Sequence, residues 1–312
     1  MTFKSVYYEE IMQKSPEVTE NPIRLSEEDR AKVGVLIRAS HRSPMSLEDV
    51  LPWNDGIDKS KLPKREDGGW IYGTEQWRGL TGDQQRELLW KELARDISMF
   101  IWLEQTLPPL YVGYVNKYPF SLHPEVYEYL MIFSREEITH TLMFRRYMKM
   151  AGLPLFSPPK GFYAQFTQQL PTLHPVFGIL STLMIEWGTE LSVMYLTQRD
   201  EVDPLTRKMI HAHHMEEARH IAFGKRVIES FFASTPAEAL APIRDQFAQI
   251  YRSYKDEFTF NRDIGLHTSF PFPIDVADDA AVAQVRTSEN NRRLNSERLG
   301  ELDRWLAQLG IQ

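Results

Sequence analysis

Two stretches decide the fold: Glu137-Ile138-Thr139-His140 and, 80 residues later, Glu217-Ala218-Arg219-His220. Each spells Glu-x-x-His. Three residues of an α-helix turn through about 300°, so Glu and His project about 60° apart on one face and can reach a common ion. One such pair carries little weight, since roughly half of chains this long would hold one by accident. Their surroundings carry more. Leu130, Phe133, Glu137, His140 and Phe144 form a stripe with core spacing and two polar residues set into it. Ile210, His213, Glu217, His220, Gly224, Val227 and Phe231 put three ionisable groups where a helical bundle takes Leu or Val. Such groups are costly to bury unpaired, and a bound cation compensates them.

Outward from these stripes, strand signals are scarce and apolar residues recur at three- and four-residue spacing, so the chain reads as all-α. A first core helix is expected from Thr81-Gly82-Asp83 through Glu104, ending or kinking at Pro108-Pro109 and resuming through Tyr111 to Asn116. A second begins at Ser121 to Pro124 and stops at Ala151, before Gly152 and Pro154. The third spans Pro175 to Arg199 and the fourth Asp203-Pro204 to Phe232, with so short a connection that the two are antiparallel neighbours. A fifth, Pro236 to Asn261, lies beside these four. Residues 43–80, rich in Pro, Gly and Trp, read as an irregular arm, and the last 40 residues as a Phe270-Pro271-Phe272-Pro273 loop and a charged helix. The expected organisation is one domain over 1–312, with core helices at 83–232, a peripheral arm at 1–80 and further helices and a tail at 236–312.

Composition excludes several chemistries. The 312 residues contain no cysteine, which removes disulfides, iron–sulfur clusters and thiol nucleophiles and leaves His, Asp and Glu as metal ligands. A net charge of -7 without a basic patch argues against nucleic acid. The N-terminal MTFKSVYYEEIMQ lacks a signal-peptide pattern and no uncharged apolar run reaches a membrane span, so a cytoplasmic protein without a membrane partner is expected.

When two helices supply Glu-x-x-His, the ferritin-like di-metal arrangement asks each of the other two for one inward Glu. Glu104 follows Ile97, Phe100 and Ile101, and Glu186 follows Ile179 and Leu183, each an acid in an apolar stretch. Two halves then repeat, Glu104 with Glu137 and His140, and Glu186 with Glu217 and His220, at separations of 33 and 31 residues. Glu190, one turn beyond Glu186, competes with it as ligand or as an acceptor behind one. Four carboxylates balance two divalent ions, and the mixed oxygen and nitrogen donors suit iron first and manganese second. Glu136 and Glu216 are expected on the solvated faces of their helices, and His211 and His214 at the surface. Trp102, Tyr111 and Tyr114 are read as packing residues rather than radical carriers, and Trp102, Phe133, Phe144 and Trp187 as core packing with the alternative of an aryl pocket.

With His213, Glu217 and His220 on one helix, Glu186 lying 27 residues before His213, Pro204 opening that helix and Glu104, Glu137 and His140 forming the other half, the sequence from Gln84 to Phe232 resembles the p-aminobenzoate N-oxygenase (AurF-like) family of di-iron arylamine oxygenases. His213 carries the distinction from generic ferritin-like proteins, which share the other six ligands. The resemblance implies a ferritin-like bundle with additional helices, seven metal ligands (Glu104, Glu137, His140, Glu186, His213, Glu217 and His220), two irons, and O2 as co-substrate. It implies a homodimer that takes electrons from an external reductase, passes through a peroxo-diferric species, and oxidises a small aromatic amine to hydroxylamine, nitroso or nitro. The competing functions are a di-iron hydroxylase or desaturase and a non-catalytic iron-binding protein. A reductase radical subunit and a metal-dependent hydrolase stand further off.

Overall fold

Thr81 starts the first core helix by accepting from the backbone of Gln84, whose side chain returns to the Thr81 backbone, a capping box that satisfies two donors at once. In the computed structural model, which describes residues 21–159 and 161–311, that helix is Gly82–Lys117. We number the longer helices α1 (Glu27–Arg42), α2 (Gly82–Lys117), α3 (Pro124–Ala151), α4 (Pro175–Thr197), α5 (Pro204–Ser234), α6 (Ala237–Thr259), α7 (Asp279–Arg286) and α8 (Glu289–Gln308). Among the described residues there is no strand, only an isolated bridge between Leu62 and Val202. The all-α, ferritin-like expectation holds: α2 packs on α3 and α4 on α5, and the two pairs enclose the core.

The ends of these helices follow local chemistry. Gly152 stops α3 in the left-handed conformation at φ 58°, which a residue with a Cβ rarely adopts. His174 and Asp203 cap α4 and α5 through their side chains, each followed by a proline at the first turn. Close approach of α4 to α2 needs Gly178, because a Cβ there would collide with the Tyr114 hydroxyl. By length and composition α4 could cross a membrane; 94% of its most apolar window is buried in the bundle, and it carries Glu186 and Glu190.

Two expectations need correction. Helix α2 neither ends nor breaks at Pro108-Pro109 but runs on to Lys117. The two prolines lack the N–H groups that would serve the Glu104 and Gln105 carbonyls, and the buried Leu107, Leu110 and Tyr111 hold the helix together across that gap. The arm is also less irregular than expected, since α1 lies within it, capped by Ser26 and packed on α3 and α5 through Val33, Ile37 and Ser40. Residues 1–20 of the arm, including the MTFKSVYYEEIMQ segment, lie outside the described residues. Beyond α1, the arm is pinned by a buried ion pair, Lys64 Nζ to Glu92 Oε2 at 2.8 Å, and by the Trp70 backbone donating to the same carboxylate. Burial pushes Glu92 above the usual carboxylate range, and Lys64 offsets only part of that.

Candidate metal centre

All seven residues singled out for metal binding meet in the middle of the bundle, each no more than 4% exposed. They form two groups whose ligand atoms lie within 4.8 Å of one another: Glu104, His140, His213 and Glu217, and Glu137, Glu186, Glu217 and His220. Glu217 belongs to both. Its Oε1 lies 3.2 Å from His140 Nδ1, 3.2 Å from His213 Nε2 and 3.3 Å from His220 Nδ1. Each group draws on both halves of the sequence repeat, so the halves interlock across the centre. Glu186, and not Glu190, enters a group.

The polar atoms facing this centre fit cations. Both oxygens of Glu137 and Glu217, one each of Glu104 and Glu186, and Nδ1 of His140 and His220 are buried without a hydrogen-bond partner. His220 Nδ1 stands 2.9 Å from Glu137 Oε1 and still makes no aligned hydrogen bond, because lone pairs here point at a shared space rather than at each other. Orphaned buried carboxylates are expensive, and two divalent ions would satisfy all of them. Electrostatics point the same way. Burial and the charge of Glu217 raise Glu137 to about 7, and burial with Glu217 and Glu137 pushes Glu186 well above its ordinary value. Glu217 goes down despite burial, through the His220 and His213 charges.

Behind each imidazole stands a second carboxylate. His140 Nε2 donates to Glu216 at 2.9 Å, His220 Nε2 to Glu136 at 2.9 Å and His213 Nδ1 to Glu190 at 3.0 Å. These bonds leave Nδ1 of His140 and of His220 free to face the centre, while His213 turns Nε2 toward it and bonds Glu104 Oε1 at 3.0 Å. One guanidinium joins two of the carboxylates, since Arg219 Nη2 reaches Glu136 Oε1 at 3.2 Å and Glu216 Oε1 at 3.1 Å. Burial would raise Glu136, but His220 and Arg219 hold it down to about 2.

Glu136 and Glu216 were expected on solvated faces and are instead 2% and 3% exposed. The residues after α1 and Ser40 within it cover the α3–α5 groove there, with the Met45 backbone donating to Glu216 and Arg219 Nε to Ser40. A usable signal was present: both halves carry a doubled acid, Glu136-Glu137 and Glu216-Glu217, before x-x-His. His214 is corrected too, being half-buried and bonded to Glu190 at 2.9 Å, whereas His211 is exposed as expected.

Aromatic side chains close the site. Phe133 stacks on the His220 ring at 3.7 Å between centroids, and Phe100 and Phe144 each meet the His213 ring edge-on at 4.9 Å. Trp102 packs on Phe162 and Phe166, and Trp187 on Trp305.

A family model described as P-aminobenzoate N-oxygenase AurF matches residues 27–308. The chain belongs to the AurF family. That match takes in α1 and the C-terminal helices as well as the four core helices, so AurF-family membership extends beyond the Gln84 to Phe232 core that carried the resemblance. No curated protein matches the chain significantly. Membership makes the chain a ferritin-like oxygenase of the AurF type, with buried His and Glu groups that fit a metal pair.

Proposed function

We propose that this chain N-oxygenates a small aromatic amine with O2 at a dinuclear iron site held by Glu104, Glu137, His140, Glu186, His213, Glu217 and His220. The observation that carries the reading is the sharing of Glu217, both of whose oxygens are buried without a hydrogen-bond partner, between two buried groups of ligand atoms. Iron at this site, with manganese as the second choice, would supply O2 activation. The first turnover balances as amine plus O2, two electrons and two protons giving hydroxylamine and water. The electrons come from an external reductase, because the chain has no cysteine for a cluster of its own.

The protein's own groups do three things in this scheme. Four carboxylates neutralise the positive charge of two divalent ions. Glu136, Glu216 and Glu190 hold the three imidazoles by the ring nitrogen that faces away, so each ring is positioned before anything binds. Phe100, Phe133 and Phe144 cover the rings with apolar surface, which keeps water from a reactive centre.

The test is to reduce the iron-loaded protein, mix it with O2 and a panel of para-substituted anilines, and follow the products by mass. Hydroxylamino, nitroso or nitro products are expected. Ring or aliphatic hydroxylation with every amine intact would move the protein to a hydroxylase class.

A further inference from the structure

Trp187 follows Glu186 on α4, stands about 100° further round that helix and meets Trp305 of α8 with ring centroids 5.4 Å apart. Both indoles are buried. Their electrostatic surroundings differ. Lys225 of α5 holds its ammonium 4.5 Å from the centre of the Trp187 ring, whereas the Trp305 Nε1–H donates at 2.8 Å to Glu229, an exposed carboxylate one turn further along α5. A cation over an indole makes an electron harder to remove from it. A carboxylate on the N–H does the reverse, since it stabilises a positive indole and can take its proton. Positive charge created on Trp187 therefore moves outward to Trp305.

We propose that Trp187 and Trp305 form a one-electron path that discharges the metal centre when O2 has reacted there and no amine is bound. The proposal rests on the O2-activating iron reading above. In each discharge the Trp305 indole gives up one electron, which passes through Trp187 and the backbone of the adjoining Glu186 to the iron pair. Its Nε1 proton goes to Glu229 and from there to solvent. What remains is a neutral indolyl radical beside an exposed carboxylate, and a small thiol restores it by giving one electron and one proton, itself ending as a disulfide. The iron pair gains one electron each time, so oxidising power leaves the core without attack on Phe100, Phe133 or Phe144, which pack on the ligand imidazoles.

The test is to reduce the iron-loaded protein, mix it with O2 without any amine or thiol, and freeze samples at intervals. Mössbauer spectra follow the iron and electron paramagnetic resonance follows organic radicals. Oxidation of the iron should bring up a tryptophanyl radical whose signal narrows when the unaltered sequence is grown on deuterated tryptophan, an assignment that needs no variant to fold. Trp305→Phe should abolish that signal and Trp187→Phe should reduce it about tenfold. In Glu229→Gln the radical keeps its Nε1 proton and should show a coupling that disappears in D2O. Iron that stays ferrous under O2 would overturn the O2 reading and the path with it. Iron that is oxidised without a protein radical, or with one on a tyrosine such as the buried Tyr111, would leave that reading standing and overturn the tryptophan path alone.

Discussion

His140 Nε2 donates to the Glu216 carboxylate at 2.9 Å, on the side of the ring turned away from the metal centre. The bond leaves Nδ1 facing inward with a free lone pair, and Glu216 is itself held by Arg219 and the Met45 backbone. Replacing Glu216 by Gln keeps the shape but removes the charge that makes the imidazole a strong donor. Metal affinity should fall about 10- to 100-fold while the helix content is unchanged. Competition with a chelator of known affinity measures the first and far-UV circular dichroism the second; unchanged affinity would assign Glu216 a packing role only.

His213 should be a ligand rather than a core residue. Its Nε2 lies 3.0 Å from Glu104 Oε1 and 3.2 Å from Glu217 Oε1, inside the first group of ligand atoms. His213→Ala should leave a folded protein in which one of two irons has altered coordination and weaker binding. Metal analysis and Mössbauer spectra of the loaded variant are the check, and two unaltered iron signals would remove His213 from the ligand set.

Much of this centre was legible because its residues interrupt apolar stripes. Glu104, Glu137, His140, Glu186, His213, Glu217 and His220 stand where Leu or Val would otherwise be, and helical spacing alone says they face one another. Glu136 and Glu216 were not legible in that way. Each sits about 100° round the helix from a ligand position, on a side whose covering depends on where α1 and the following segment dock. That docking is a long-range event, and no local pattern on α3 or α5 encodes it. The continuity of α2 through Pro108-Pro109 failed for a related reason: proline cost is local, but the burial of Leu110 and Tyr111 that outweighs it is tertiary.

The Lys64–Glu92 pair should be the strongest single tie of the arm. Both side chains are buried, at 2% and 1% side-chain exposure, and Lys64 to Ala leaves the buried Glu92 carboxylate without its ion-pair partner, with the Trp70 backbone still donating to it. Removing one partner of a buried pair costs about 3–5 kcal/mol. Chemical denaturation should show a loss of that order for Lys64→Ala, and a smaller one for Lys64→Met/Glu92→Met, which leaves no orphan. A Lys64→Ala variant as stable as the parent would mean that Glu92 is neutral in the folded protein.

Stability should also fall in acid through His174. Its Nδ1 accepts from the Val176 backbone at 3.3 Å and so caps α4 in the neutral form. Burial, with the Lys117 charge adding to it, lowers the imidazole from 6.5 to about 4. The unfolded chain therefore takes up a proton below about pH 6.5 while the folded chain refuses it, and stability drops as pH falls from 6.5 to 4, then levels. The full drop is up to about 3 kcal/mol. Many carboxylates titrate in the lower part of that window, so the informative quantity is a difference between variants. Asn caps helices through its side chain and does not titrate, so His174→Asn should match the parent near pH 7.5 and lose this part of the acid slope. Denaturation midpoints at half-unit pH steps give both curves. Parallel curves between pH 6.5 and 4 would show that His174 titrates alike in the folded and unfolded states.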